Sequence, residues 1–264
     1  MQLPTTFFGW IGFLLDKYGP LFLQGTGMTL LISLTGTIIG FAIGLVVATL
    51  RTIPTHRNTA LPLKGLKGIL NFLLSAYIEV FRGTPMIVQA MVIYYGAMMA
   101  GLIRRDTPIP VVAIFIVSIN TGAYMAEIIR GGIISVDKGQ KEAAQAIGMT
   151  HWQSMASVVL PQAVRNIMPS IGNEFVVNIK DSSVLNVIAV SELFFMSKSA
   201  AGAYLRYFEV FTITAVIYLI LTFTVTRILR LIERRMDGKS TYTILGSQTF
   251  SKSAITIKHE KKEV

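Results

Sequence analysis

The chain has 264 residues, of which 52% are hydrophobic and 14% charged, with a formal charge of +10 and a mean hydropathy of +0.59. An ordinary soluble domain carries about a quarter charged residues, so this balance excludes one and indicates a polytopic membrane protein. The excess positive charge is then a matter of membrane topology rather than nucleic-acid binding, and the absence of cysteine removes any disulfide framework or cysteine metal site.

Residues 1 to 24 include "FFGWIGFLL" without a basic leader or a small-residue cleavage pattern, which predicts a retained amphipathic lead-in on the outer side. Residues 27 to 50 contain no charge and stop at Arg51, long enough for a first span. Within it Gly36, Gly40 and Gly44 recur every four residues and place three small surfaces on one helix face, a pattern for close helix packing.

The next apolar stretch, residues 69 to 102, would make one helix of about 50 Å, too long for a single straight crossing. Glu79 and Arg82 share a face, and Gly83 and Pro85 follow, so the pattern predicts an interfacial helix, a break, and a crossing over "MIVQAMVIYYGAMMAGL". Further spans are expected over residues 109 to 129, 167 to 195 and 207 to 228, the fourth interrupted by Glu174, Lys180 and Asp181.

Five spans put the lysine- and arginine-rich segments 51 to 68, 130 to 165 and everything after 226 on one side. By the positive-inside rule that side is the cytoplasm, with the N-terminus outside. From residue 237 onward the chain is polar and basic without apolar periodicity, which predicts a flexible cytoplasmic tail over 237 to 264.

The longest cytoplasmic loop, 137 to 165, contains "EAAQAIGMTHWQSMASVVLP". Asp137 with Gln140 marks a helix start, Gly148 a stop, and Thr150 with Gln153 a second start, predicting two short helices. Trp152, Met155 and Val159 fall at i, i+3 and i+7, one apolar stripe on a helix too short to stand alone.

Glu142, Ala143 and Ala144, followed by Gly148, Val158, Leu160 and Pro161, resemble the EAA signature of permease subunits in ATP-binding-cassette importers; only Val158, where isoleucine is commoner, departs from it. Together with "YIEVFRGTP", "INTGAYMAEIIRGGI", "KGQKEAAQAIGM" and "LPQAVRNIMPSIGNEFVVNIKDSSVLNVIAVSEL", the likeness is to the polar amino-acid branch of that family and extends over about residues 20 to 236.

The resemblance implies an all-α integral membrane protein of the type I importer permease fold, with a permease domain over 25 to 236 in a bacterial plasma membrane. It also implies a second permease subunit, identical or not, two cytosolic ATPase subunits that bind ATP and Mg2+, and an extracytoplasmic amino-acid-binding protein. Glu142, Ala143, Ala144, Gly148, Leu160 and Pro161 would then form the helix that couples ATPase movement to the spans. The chain itself would bind no cofactor. "GKST" at 238 to 241 is not a phosphate loop, because the position five before its glycine is Glu233.

Polar groups at membrane depth point to a transport path or to pairing between helices. Asn120, Tyr124 and Glu127 share a helix face, and Glu127 with Arg130 makes an interfacial ion pair. Lys180 and Asp181 offer a cation and an anion to a zwitterionic amino acid, with Ser182 donating a hydroxyl; alternatively they neutralise each other or pair with Glu174. Thr84 completes the candidates, at the break that Glu79 and Arg82 precede. His56, His151 and His259 are scattered and form no metal motif, and no nucleophile and base pair is in view. The rival readings are a permease for another solute such as an opine or organic cation, an ion-coupled secondary transporter, and a membrane scaffold with a lipid-binding tail.

Overall fold

The computed structural model describes residues 3–52, 61–104 and 106–236, and among them every regular element is helical. The tail 237–264, and His56 and Arg57 of the first basic segment, lie outside the described residues.

Helix α1 (Phe7–Thr52) has 46 residues, about 69 Å of rise. The lead-in expected as a separate piece is continuous with the first span, and Pro20 lies inside the helix. Burial overrides the missing backbone bond: on either side of Pro20, Trp10, Leu14 and Phe22 pack with Leu193, Ala200, Ala201, Val210 and Ile213 from the last two helices.

Helices α2 (Leu61–Gly83) and α3 (Met86–Met99) are separated at Thr84 and Pro85. Then come α4 (Ile109–Ser135), α5 (Lys138–Ala146), and α6 (His151–Ser154), which runs through a π-turn (Met155–Val159) into α7 (Leu160–Asp181). A 3-10 segment (Ser182–Ile188), α8 (Leu193–Tyr204) and α9 (Tyr207–Met236) complete the described residues.

Alpha-helices α1 and α4 run parallel and touch through the three glycines. A Cβ at Gly36 would lie 2.5 Å from Val117 Cγ1, one at Gly40 2.7 Å from Thr121 Cβ, and one at Gly44 would collide with Met125 Cβ. α7 runs antiparallel to α4, with Gly132 against Ile167 and Ala163 at one end and Thr121 bonded to Asn178 farther along. Gly172 of α7 meets Leu229 of α9. The C-terminal ends of α1, α4 and α9 and the start of α7 therefore gather at one end of the bundle, where α5 and α6 also lie.

Among the described residues three helices, Phe7–Thr52, Ile109–Ser135 and Tyr207–Arg235, are long and apolar enough to cross a bilayer. The pair Trp152–Ile188 and Leu193–Tyr204, bent by 56°, raises the number to four. Helix α3, at about 21 Å, is shorter than a hydrocarbon core of about 30 Å. The five apolar stretches are thus not five unbroken helices. Pro85 interrupts the second, and the 3-10 turn ending at Ala189, with φ 60°, interrupts the fourth.

Candidate functional site

The segment between α4 and α7 is built from capping chemistry. Asp137 Oδ1 accepts from the Gly139 amide at 2.6 Å and starts α5. At its other end the Gly148 amide donates to Gln145 O at 3.0 Å and the Met149 amide to Ala144 O at 3.1 Å. Gly148 sits at φ 85°. This is the Schellman arrangement, which needs a left-handed residue at that one place and so favours glycine.

Two residues later Thr150 and Gln153 form a capping box, with the Gln153 amide on Thr150 Oγ1 at 3.3 Å and the Thr150 amide on Gln153 Oε1 at 2.9 Å. The π-turn then precedes Pro161. Its wider turn makes room for a proline ring that would clash with the carbonyl four residues earlier in an α-helix, and Gln162 Nε2 donates to Val158 O at 3.0 Å.

Glu142, Ala143, Gly148 and Pro161 are exposed, Leu160 is 40% exposed, and Ala144 is buried. The apolar stripe expected from spacing is divided. Met155 and Val159 pack on Val136 and Ala163, but Trp152 remains 76% exposed, with Ile147 at 80% nearby. The π-turn breaks the 3.6-residue period on which the stripe rested, and the buried Ser154 points inward beside Met155.

At the same end Glu127 bridges two helices. Its Oε1 accepts from Arg51 Nη1 of α1 at 2.9 Å and its Oε2 from Arg130 Nη2 at 2.8 Å. The Glu127–Arg130 pair was legible in the sequence; Arg51, 76 residues earlier, was not.

Deeper in the bundle the polar candidates fall into separate groups. Asn120 and Thr84 meet through Gln89, a residue that sequence reasoning passed over. Gln89 Oε1 accepts from Asn120 Nδ2 at 2.8 Å, while its Nε2 donates to Thr84 O at 2.8 Å, Thr84 Oγ1 at 2.9 Å and Phe81 O at 2.9 Å. Pro85 has no N–H to offer the Phe81 carbonyl, and the Gln89 amide takes its place. Tyr124 lies under the Arg82 guanidinium, 5.6 Å from ring centroid to Cζ.

Lys180 is exposed and Asp181 half-buried, whereas Ser182 is buried and donates to Ile179 O at 2.9 Å. Glu174, two helical turns before Asp181 on the same face, lies within electrostatic reach of both Asp181 and Arg82. The second unforeseen group is Asn178, whose Nδ2 donates to Thr37 Oγ1 at 2.8 Å and Thr121 Oγ1 at 3.0 Å, tying α7 to α1 and α4. A lone amide inside an apolar stretch was the available signal for both Gln89 and Asn178.

Residues 59–238 match the family described as "Binding-protein-dependent transport system inner membrane component". The chain belongs to this family.

The permease is 39% identical over 217 residues to the glutamine transport system permease protein GlnP of Escherichia coli (strain K12), covering 82% of this chain and 93% of GlnP. It is 34% identical over 219 residues to the arginine transport system permease protein ArtQ of Bacillus subtilis (strain 168), covering 83% and 94%. Among solved structures, "Crystal structure of an amino acid ABC transporter with histidines" superposes with a TM-score of 0.73 at 39% identity, over 84% of this permease and 96% of that chain. A MetNI methionine ABC transporter subunit, at 21% identity and a TM-score of 0.67, shares the fold. The permease is thus a multi-pass inner-membrane transport component, and ATP hydrolysis in such systems is carried by separate subunits.

Proposed function

We infer that this chain is the membrane-spanning permease subunit of an ATP-driven polar amino-acid importer. The relatives that transport glutamine and arginine, at 39% and 34% identity, support the substrate class. The chain crosses the bilayer five times, as α1, α2 with α3, α4, α7 with α8, and α9. The N-terminus is outside and the end carrying Arg51, Arg130, Lys138, Lys141 and Arg165 is cytoplasmic. A second permease subunit, identical or homologous, completes the path, an extracytoplasmic binding protein delivers the amino acid, and two cytosolic ATPase subunits hold ATP and Mg2+.

One observation carries the coupling role: a segment stiffened by two caps and a Schellman turn presents Glu142, Ala143, Gly148, Ile147 and Trp152 outward at the arginine-rich end. A short helix with so little apolar contact of its own is stable against a partner groove, and its rigidity transmits displacement to α4 and α7. Glu142 supplies a charge-assisted bond, Ala143 and Ala144 permit close approach, and Leu160 and Pro161 join the segment to α7.

On the transport path Asp181 and Lys180 offer opposite charges to the ammonium and carboxylate of the substrate, with Ser182, Asn120, Tyr124 and Thr84 lining the approach. The test is co-purification with the ATPase subunit together with binding-protein-stimulated ATP hydrolysis in liposomes, for wild type, Gly148→Asp and Glu142→Lys. Loss of association or stimulation with membrane insertion intact supports the coupling helix; wild type that binds no ATPase refutes it. Uptake of labelled glutamine, arginine, an opine and an organic cation then identifies the substrate. Uptake of only the last two would overturn the amino-acid assignment.

A further inference from the structure

The last three turns of α9 carry a feature that neither the translocation path nor ATPase coupling uses. Arg227, Arg230 and Arg234 fall at i, i+3 and i+7 and share one helix face, and Arg235 adjoins them; all four are exposed. Beside that face Ile228 and Ile232, at i and i+4, are 51% and 44% exposed, and Leu231 is 59% exposed. Leu229 turns inward, onto Gly172 of α7. The Arg227 guanidinium stacks 4.7 Å from the Phe223 ring, so its head lies level with the last apolar turn of the span.

This alternation suits one environment. Exposed isoleucines and leucine need hydrocarbon, while the guanidiniums a few ångströms away need anions at the same depth. A water-facing helix would satisfy the arginines and strand the isoleucines; a protein groove would have to supply an apolar wall and several carboxylates together. The headgroup boundary of a bilayer supplies both by construction, and charge complementarity selects its anionic members. Arg165, exposed on the first turns of α7, adds a cation at the same end of the bundle.

We propose that the arginine face of α9, residues 227 to 235, is a binding surface for anionic phospholipid headgroups. The apolar residues set its depth and the four guanidiniums set its charge preference. Headgroup binding there anchors the end of α9 that braces α7 through Leu229 and Gly172. The surface is independent of which amino acid the permease carries.

The test uses the full importer complex reconstituted into vesicles of phosphatidylcholine alone or mixed with phosphatidylglycerol. Spin-labelled phosphatidylglycerol and phosphatidylcholine report the relative association of each lipid with the protein. Wild type prefers phosphatidylglycerol. The variant Arg230→Gln/Arg234→Gln loses that preference by about fivefold per arginine, equivalent to about 1 kcal/mol each. The variant Arg230→Lys/Arg234→Lys restores it, because a headgroup site needs charge and not the bidentate fork that protein carboxylates favour.

An unchanged lipid preference in the glutamine variant overturns the proposal. So does loss of ATPase association at unchanged lipid preference, which would assign the face to a protein partner. If the glutamine variant inserts poorly, the single Arg235→Gln substitution, beyond the apolar part of the span, is read in the same assay with a onefold-charge loss and the same two outcomes.

Discussion

Gln89 and Asn120 are joined by a 2.8 Å hydrogen bond between α3 and α4, and through it the broken second helix is held to the centre of the bundle. Gln89 is buried, and its amide serves the Phe81 carbonyl that Pro85 leaves without a donor, together with the Thr84 carbonyl. Both residues therefore belong to one network that holds Thr84 and the Phe81 carbonyl at the helix break.

That network predicts an order of effects. Gln89→Leu removes the bonds to Phe81 O and to both Thr84 oxygens, leaves Phe81 O and the Asn120 amide only their long 3.5 Å contact with each other, and costs about 3 kcal/mol, whereas Asn120→Ala leaves Gln89 Oε1 without its donor and costs about 1 kcal/mol. Thermal unfolding in detergent ranks the two. An Asn120→Ala loss equal to that of Gln89→Leu would mean that the helix break is held by something else.

Glycine substitutions in α1 should have opposite signs at two positions. A Cβ at Gly44 meets the Met125 side chain and the Ala126 amide, 2.8 Å away, so Gly44→Ala destabilises by about 2 kcal/mol. At Gly27 nothing lies within 4 Å, and Gly27→Ala stabilises by about 0.5 kcal/mol through helix propensity. Midpoints of thermal aggregation for the two variants check this, and equal shifts would contradict the close α1–α4 contact.

At Gly148 space is open and only the backbone angle constrains the residue. Gly148→Ala therefore costs about 1 kcal/mol locally and Gly148→Asn less, since asparagine tolerates the left-handed region. ATPase stimulation should fall in the order Gly, Asn, Ala, Val. An alanine variant with wild-type stimulation would show that the turn need not be rigid.

Arg51 and Arg130 both pair with Glu127, but only Arg51 links two helices. Arg51, Glu127 and Arg130 side chains are 25%, 20% and 42% exposed, so the pairs are partly shielded from salt. Arg51→Ala and Arg130→Ala are each expected to lower stability by about 1 kcal/mol, the first by losing the link between helices and the second by losing a pair made through both Nε and Nη2. A double-mutant cycle with Glu127→Ala measures each coupling, and a zero coupling for Arg51 would contradict the bridge between α1 and α4.

Much of this protein follows from its sequence alone, because the signals are local. Apolar length and the placement of arginine and lysine define a helical membrane protein, and the glycine spacing in α1 marks the face that α4 uses. Asp137, Gly148, Thr150 and Gln153 spell out the caps of the segment between α4 and α7, since each cap is satisfied within a few residues of its own position. The tertiary structure decided what depends on partners distant in the chain. Gln89 and Asn178 look like isolated amides until the fold brings Asn120, Thr37 and Thr121 to them, and the Glu127 pair becomes a bridge only when α1 places Arg51 beside it. The lead-in merged with the first span for the same reason. Burial of Trp10, Leu14 and Phe22 against α8 and α9 outweighs the local signal of Pro20, and no window of neighbouring residues contains that contact.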